Sequence, residues 1–177
     1  MKTFLKILAI IAGLFVLVGL FLPNQIDVRR SVVIDAPVAE IHQQLHNLDN
    51  WPNWSPWAEL DPTIKTTIGD LSSGKGASQS WVGNSGGGNL TITESSLGKG
   101  VIYDLSFDGD SSVYKSGFSY QEKDGKVSVT WFMTGEMQPI IIGNYFALLM
   151  DSLVGDSFVG GLNKLKAVAE KEASQTN

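Results

Sequence analysis

Few side chains in this sequence have the types and spacing that do chemistry, and most of them have a simpler reading. His42 and His46 lie four residues apart, so on a helix they share a face and can reach one metal ion. The intervening sequence is HQQLH, without the glutamate of an HExxH site, and both flank the apolar Ile41 and Leu45. They read as boundary histidines, and no metal site is expected. Gly69 to Gly76 (GDLSSGKG) falls one residue short of a phosphate-binding loop, because Gly76 replaces the Ser or Thr that would hold magnesium. Asp108 and Asp110 begin like a calcium loop, but the sixth-position glycine and the distal glutamate are missing, so they read as turn residues. The chain has no cysteine, which removes thiolate nucleophiles, thiolate metal sites and disulfides together. Both histidines lie on one helix beside no obvious nucleophile, so no Ser-His-Asp set is visible, and no cofactor is implied.

Glu94 is the one weak candidate for catalysis. Strict alternation puts it on the face of Leu90 and Ile92, where desolvation would raise its pKa toward that of a general base. The simpler expectation is a solvated carboxylate near a strand end. Tyr103, Tyr114, Tyr120 and Gln79 are possible hydrogen-bond donors to a ligand carbonyl.

These residues must be held by elements that follow in a distinctive order. Ile26 to Ile34 is β-branched and ends at Asp35-Ala36-Pro37, where Asp35 can cap a helix and Pro37 suits its first turn. That helix carries Val38, Ile41, Leu45 and Leu48 on one stripe. WPNWSPW follows, with Pro52 and Pro56 breaking any long helix. Strand patterns then run over Thr63–Ile68, Ala77–Val82, Asn89–Ser95, Val101–Phe107, Val113–Gln121 and Lys126–Thr134, separated by glycine-rich turns of an antiparallel meander. The chain closes with helix from Ile142 to about Val154, a break at Gly155 around which the first part can lift as a gate, and a fresh helix from Asp156 to about Ala173.

One sheet face is rich in aromatics. Alternation groups Tyr103 with Leu105 and Phe107, Tyr114 with Phe118 and Tyr120, and Val127 with Val129, Trp131 and Met133. Trp81 and the triplet Trp51, Trp54 and Trp57 add to them, and at least two of that triplet are expected to be buried. Such a set either fills a core or lines a cavity.

Ile7 to Leu22 is apolar or Gly throughout, and counting Phe4, Leu5 and a Lys6 that can snorkel, residues 4–22 are long enough to span a bilayer as a helix, while bulky Leu20 to Leu22 followed by Pro23 offer no signal-peptidase site. The expected organisation is a transmembrane anchor over 1–23, one domain over 24–173 and a polar tail over 174–177. The chain is expected to be single-pass, with the domain on the exported, periplasmic or extracellular, side. Lys2 and Lys6 balance Arg29 and Arg30, so the positive-inside count leaves the free amine to tip that choice. Removing Lys2 and Lys6 takes the formal charge from −5 to about −7, and an acidic domain without a basic stripe argues against nucleic acid as a partner.

The run VxRSVVIDAPVxxI (Val28 to Ile41), then LxNWxxWSPW (Leu48 to Trp57), GKG (Gly74 to Gly76), SWVG (Ser80 to Gly83), ITE (Ile92 to Glu94), VTW (Val129 to Trp131) and GDSFVGGLNKLK (Gly155 to Lys166), resembles the polyketide cyclase/dehydrase and lipid-transport branch of the SRPBCC, or START-like, superfamily. The resemblance implies an α+β helix-grip fold, a curved antiparallel sheet of about seven strands around a long C-terminal helix, with a hydrophobic cavity between them. It carries over no catalytic set. The expected function is binding of a hydrophobic small molecule or lipid, with Trp54, Trp57, Trp81, Tyr103, Phe107, Phe118, Tyr120, Trp131, Met133, Phe146, Leu149, Phe158 and Leu162 as candidate ligand contacts. The alternatives are a cyclase- or dehydratase-like enzyme in the same cavity and an interaction protein with a solid core.

Overall fold

Hydrophobic alternation and one long apolar-faced helix dictate a sheet wrapped on a helix. The computed structural model describes residues 1–176, with side chains through residue 175. Helix α1 (Lys2–Phe21) leads into strand β1 (Gln25–Ile34), helix α2 (Val38–His46), a 3-10 turn at Leu48–Asn53 and the short helix α3 (Trp57–Leu60). Strands β2 (Lys65–Ile68), β3 (Ser78–Gly83), β4 (Gly86–Ser96), β5 (Gly100–Phe107), β6 (Tyr114–Lys123) and β7 (Lys126–Glu136) form the meander, and helix α4 (Ile142–Thr176) closes the chain. The antiparallel sheet runs β1-β7-β6-β5-β4-β3-β2. Only β1 is out of sequence order, paired to β7 from Gln25↔Glu136 to Ile34↔Val127.

Helix α2 starts after Pro37, and Asp35 does not cap it. The Asp35 carboxylate pairs with Lys126 at 2.9 Å, while its backbone N–H donates to Glu170 Oε1. Strand β4 starts three residues before the expected Asn89, because Gly86 to Gly88 pair with β3 and leave room for the Trp81 ring over Gly88.

Gly155 does not interrupt α4, which runs unbroken for 35 residues. A Cβ there would collide with the Arg30 guanidinium, and one at Gly161 would lie 2.8 Å from the Trp131 ring. These glycines let the helix approach β1 and β7 closely. The expected restart at Asp156 and the hinge built on it are therefore absent, and residues 174–176 of the expected tail continue the helix; Asn177 lies outside the described residues. Phe158, Leu162 and Leu165 face the sheet and are buried.

The tryptophan segment wedges between α2 and the sheet. Trp51 and Trp54 are buried, and their indole N–H groups donate to the carbonyls of Leu45 and Gln44 at 3.0 and 3.1 Å, whereas Trp57 is half-buried. Trp54 meets Phe118 and Trp131 edge-on. Replacing Trp54 with Ala removes this packing and leaves the Gln44 carbonyl without its donor. The expected loss is about 3–5 kcal/mol, measured by urea unfolding of the full chain in mild detergent; an unchanged midpoint would contradict the wedge.

Candidate ligand cavity

The packed half and the open half of the domain lie at opposite ends of the strands. At the end bearing the α2 start and the β6–β7 hairpin, Ile34, Ile41, Leu45, Val101, Val127, Leu165 and Ala169 leave no space, each at most 1% exposed. Toward the other end the sheet diverges from α4 around a cavity of about 540 Å³, within the range of small-molecule sites. Period-two alternation places Leu90 of β4, Tyr103, Leu105 and Phe107 of β5, Ser116 of β6 and Trp131 and Met133 of β7 along its wall. Gln79 and Trp81 of β3 add to it. Helix α4 contributes Met150, Val154 and Phe158 at i, i+4 and i+8, and Trp51 and Trp57 close the side.

The deep polar point is Tyr103. Its hydroxyl accepts from Trp131 Nε1 at 3.1 Å and lies 3.0 Å from Ser116 Oγ. Ser116 Oγ is also 2.7 Å from the Phe132 carbonyl, which only accepts, so the single serine proton is directed there. The Tyr103 proton is then available to Ser116 Oγ or to a ligand acceptor. Burial pushes the Tyr103 phenol up to about 12, against the lowering effect of the Ser116 and Trp131 hydrogen bonds. Tyr103 is therefore a neutral donor across the physiological range.

The candidate contacts divide by position. Trp57, Trp81, Tyr103, Phe107, Trp131, Met133 and Phe158 line the cavity. Trp54, Phe118 and Leu162 are buried in the packing behind it, and Tyr120 lies beside α2, where its hydroxyl is 3.2 Å from His42 Nδ1. Phe146 and Leu149 are exposed on the outer side of α4. Glu94 is outside the cavity and exposed. The register slips between Ile92↔Tyr103 and Glu94↔Ile102, so the additional residue Thr93 makes a β-bulge and turns Glu94 to solvent. Leu90, Ser116, Met150 and Val154 also line the wall, although none is among the candidate contacts that the sequence pattern suggests. Ser116 does carry a sequence signal, as the polar member of the alternating set Tyr114, Ser116, Phe118, Tyr120.

The remaining polar clusters are structural. His42 and His46 stack at 4.7 Å, with Ser95 Oγ 3.4 Å from His42 Nε2, and burial lowers both pKa values. No group of three potential metal ligands occurs among the described residues. The GDLSSGKG loop docks on the α2 end, where Gly74 N–H donates to the His46 carbonyl. Asp110 accepts from the Tyr114 hydroxyl at 2.6 Å and the Ser112 N–H, closing the β5–β6 turn. At the cavity rim, Asp61 accepts from the N–H and hydroxyl of both Thr63 and Ser85, tying the β3–β4 hairpin to the segment after α3.

The family described as polyketide cyclase / dehydrase and lipid transport matches residues 25–170 of this chain. The chain belongs to this family. Solved structures share the fold with this family member at low identity. A protein of Chromobacterium violaceum has a TM-score of 0.59 at 13% identity, over 83% of this chain and 97% of the other. A protein of Thermobifida fusca has 0.61 at 19%, over 79% and 90%. The di-domain ARO/CYC StfQ of the steffimycin biosynthetic pathway has 0.64 at 9%, over 85% of this chain and 52% of StfQ. Such identities speak for the fold alone. No curated protein is significantly similar in sequence.

In this member of the polyketide cyclase / dehydrase and lipid transport family, the Asp61 clamp gives an acid-sensitive rim. The Thr63 and Ser85 hydrogen bonds hold its carboxyl below the ordinary carboxylate range. Its contribution is complete above the unfolded value of about 3.9 and is lost as pH falls toward the lower folded value. The thermal midpoint of the chain should exceed that of Asp61→Asn by a constant gap from neutrality to about pH 5, and the gap should narrow below about pH 4. Circular dichroism melts across that range check this, and a gap that fails to narrow would refute the clamp.

Proposed function

We propose that this chain is a membrane-tethered binding protein for a hydrophobic small molecule or lipid, with α1 crossing the bilayer once and the domain on the exported side. The cavity is the observation that carries the reading. Its wall is largely apolar, and its deep polar groups, Tyr103, Ser116 and Trp131 Nε1, are engaged with one another and offer one neutral donor proton. A ligand with an apolar body and an acceptor oxygen matches that surface, with the Gln79 amide on β3 as a second polar contact. The apolar run of α1, near the N-terminus and almost wholly exposed, supports the tether. A solid-core interaction protein does not account for a cavity of about 540 Å³.

The second reading is a cyclase- or dehydratase-like enzyme, favoured by the Tyr103 donor beside a family that takes its name from such chemistry. It would need a base within reach of the bound ligand. Glu94 points away, and the carboxylates that border the cavity, Asp49 and Asp108, are exposed at its mouth.

Native mass spectrometry of the full chain released from detergent micelles tests the binding reading. The wild type should carry an apolar adduct, and Met150→Trp, which fills the cavity from α4, should lose it without a large change in melting temperature. Tyr103→Phe should weaken a carbonyl-bearing ligand about 2- to 10-fold, the worth of one neutral hydrogen bond. A wild type that binds no lipid or apolar molecule after mild delipidation would sink the proposal. Turnover of the bound molecule would move the chain to the enzymatic reading.

A further inference from the structure

Helix α4 carries a second apolar face that its packing does not use. Ile142, Phe146, Leu149 and Leu153, spaced 4, 3 and 4, form one stripe on the outer side of the helix, each half exposed or more. Ile140 extends the stripe in the preceding turn and is 57% exposed. From Met137 to Met150 there is no ionisable group except the phenol of Tyr145. The first charge beyond, Asp151, is held by Arg30 through two contacts of 2.8 and 3.0 Å.

The stripe begins where α1 ends. Asn144 Nδ2 donates to the carbonyls of Gly19 and Leu22 at 2.8 and 2.7 Å, satisfying acceptors that a helix C-terminus leaves open. The Tyr145 hydroxyl donates to the Phe15 carbonyl, and its ring stacks on Phe15 at 4.3 Å. Ile141 reaches so close to Gly19 that a Cβ there would lie 2.7 Å from its Cγ2. These contacts fix the direction of α4 relative to α1, so the position of the stripe follows from that of the anchor. If α1 ends at the bilayer surface, eleven further residues of helix carry the stripe about 17 Å along that surface or away from it.

We infer that the first three turns of α4 lie in the membrane interface beside the anchor, with Phe146, Leu149 and Leu153 among the lipids, so that the cavity opens toward the bilayer. The inference rests on the tethered reading of α1. Strand ends support it, because Gln25 of β1, Glu136 of β7, Tyr114 of β6, Phe107 of β5 and Gly86 of β4 all lie at the end from which α1 departs. The cavity is bordered at that same end by exposed Ser85, Gly86 and Asp108 of the hairpin tips. Met150 and Val154 face the cavity from the helix whose adjoining side bears Leu149 and Leu153. The occupant of the stripe is a neutral lipid surface. The net acidic chain, with Arg29, Arg30 and Lys115 each beside a carboxylate, offers little to anionic headgroups.

The absence of cysteine makes site-directed spin labelling direct. Full chain reconstituted in phosphatidylcholine vesicles would be labelled singly through Phe146→Cys, Leu149→Cys, Leu153→Cys, Leu14→Cys in α1 and Glu122→Cys at the far hairpin. Power-saturation electron paramagnetic resonance then compares collisions with dissolved oxygen and with a water-soluble nickel chelate. The oxygen-to-nickel ratio at 146, 149 and 153 should be several-fold above that at 122 and should approach that at 14. A lipid-like value at 14 with water-like values at all three α4 positions would overturn this inference and leave the tether standing. A water-like value at 14 would take down the tether and this inference together. Weak collision with both reagents at the α4 positions would mean burial against a second copy, which also overturns it.

Discussion

Trp131 is where the sheet, the long helix and the tryptophan segment are joined. Its ring stacks on Phe158 of α4 at 4.1 Å and 1° between planes, and it is met edge-on by Trp54 and Trp57. Gly161 lets the helix come within reach of that ring, with Pro56 on the same spot. The indole N–H then sets the Tyr103 hydroxyl in place. One side chain thus holds the helix against β7, seats the segment before α3 and orients the donor in the cavity. Aromatic rings have few rotamers, and contacts of this kind add to the burial of their area.

That stiffness explains how a cavity of this size persists in a folded domain. A void costs stability in proportion to its volume unless its walls collapse. Here collapse is opposed by rings that brace one another: Trp51 against Trp54 and Tyr103, Phe118 against Trp131, Trp81 against Phe107. The opposite end of the strands is packed solid and pins the register that the cavity half relies on. Stability and binding surface are therefore divided along the strand axis.

Much of this was legible in the sequence, and the failures are local. The meander, the closing helix and the aromatic face follow from period and turn chemistry, since alternation survives wherever the register is regular. It fails at Thr93, where one inserted residue reverses the faces and expels Glu94. No residue type marks that bulge, because Ile92-Thr93-Glu94 reads as ordinary strand. Gly155 misled in the opposite way: a glycine that admits Arg30 has the same sequence signature as one that ends a helix. Alternation also identified the aromatic set without separating Tyr103, which faces the cavity, from Phe118, which lies behind it. That distinction depends on how far α4 and the tryptophan wedge stand from each strand, which is a tertiary distance.

The chemistry of the cavity follows from what is withheld from it. Carboxylates are at the mouth or outside, the histidines are stacked on one side of α2 and are not part of the wall, and the phenol at depth is held neutral by desolvation. In a wall of this composition an unmatched polar atom opposite Met133 or Val154 would lose its hydration without compensation. Tyr103 stays protonated at neutral pH, because burial holds its phenol above the ordinary tyrosine range.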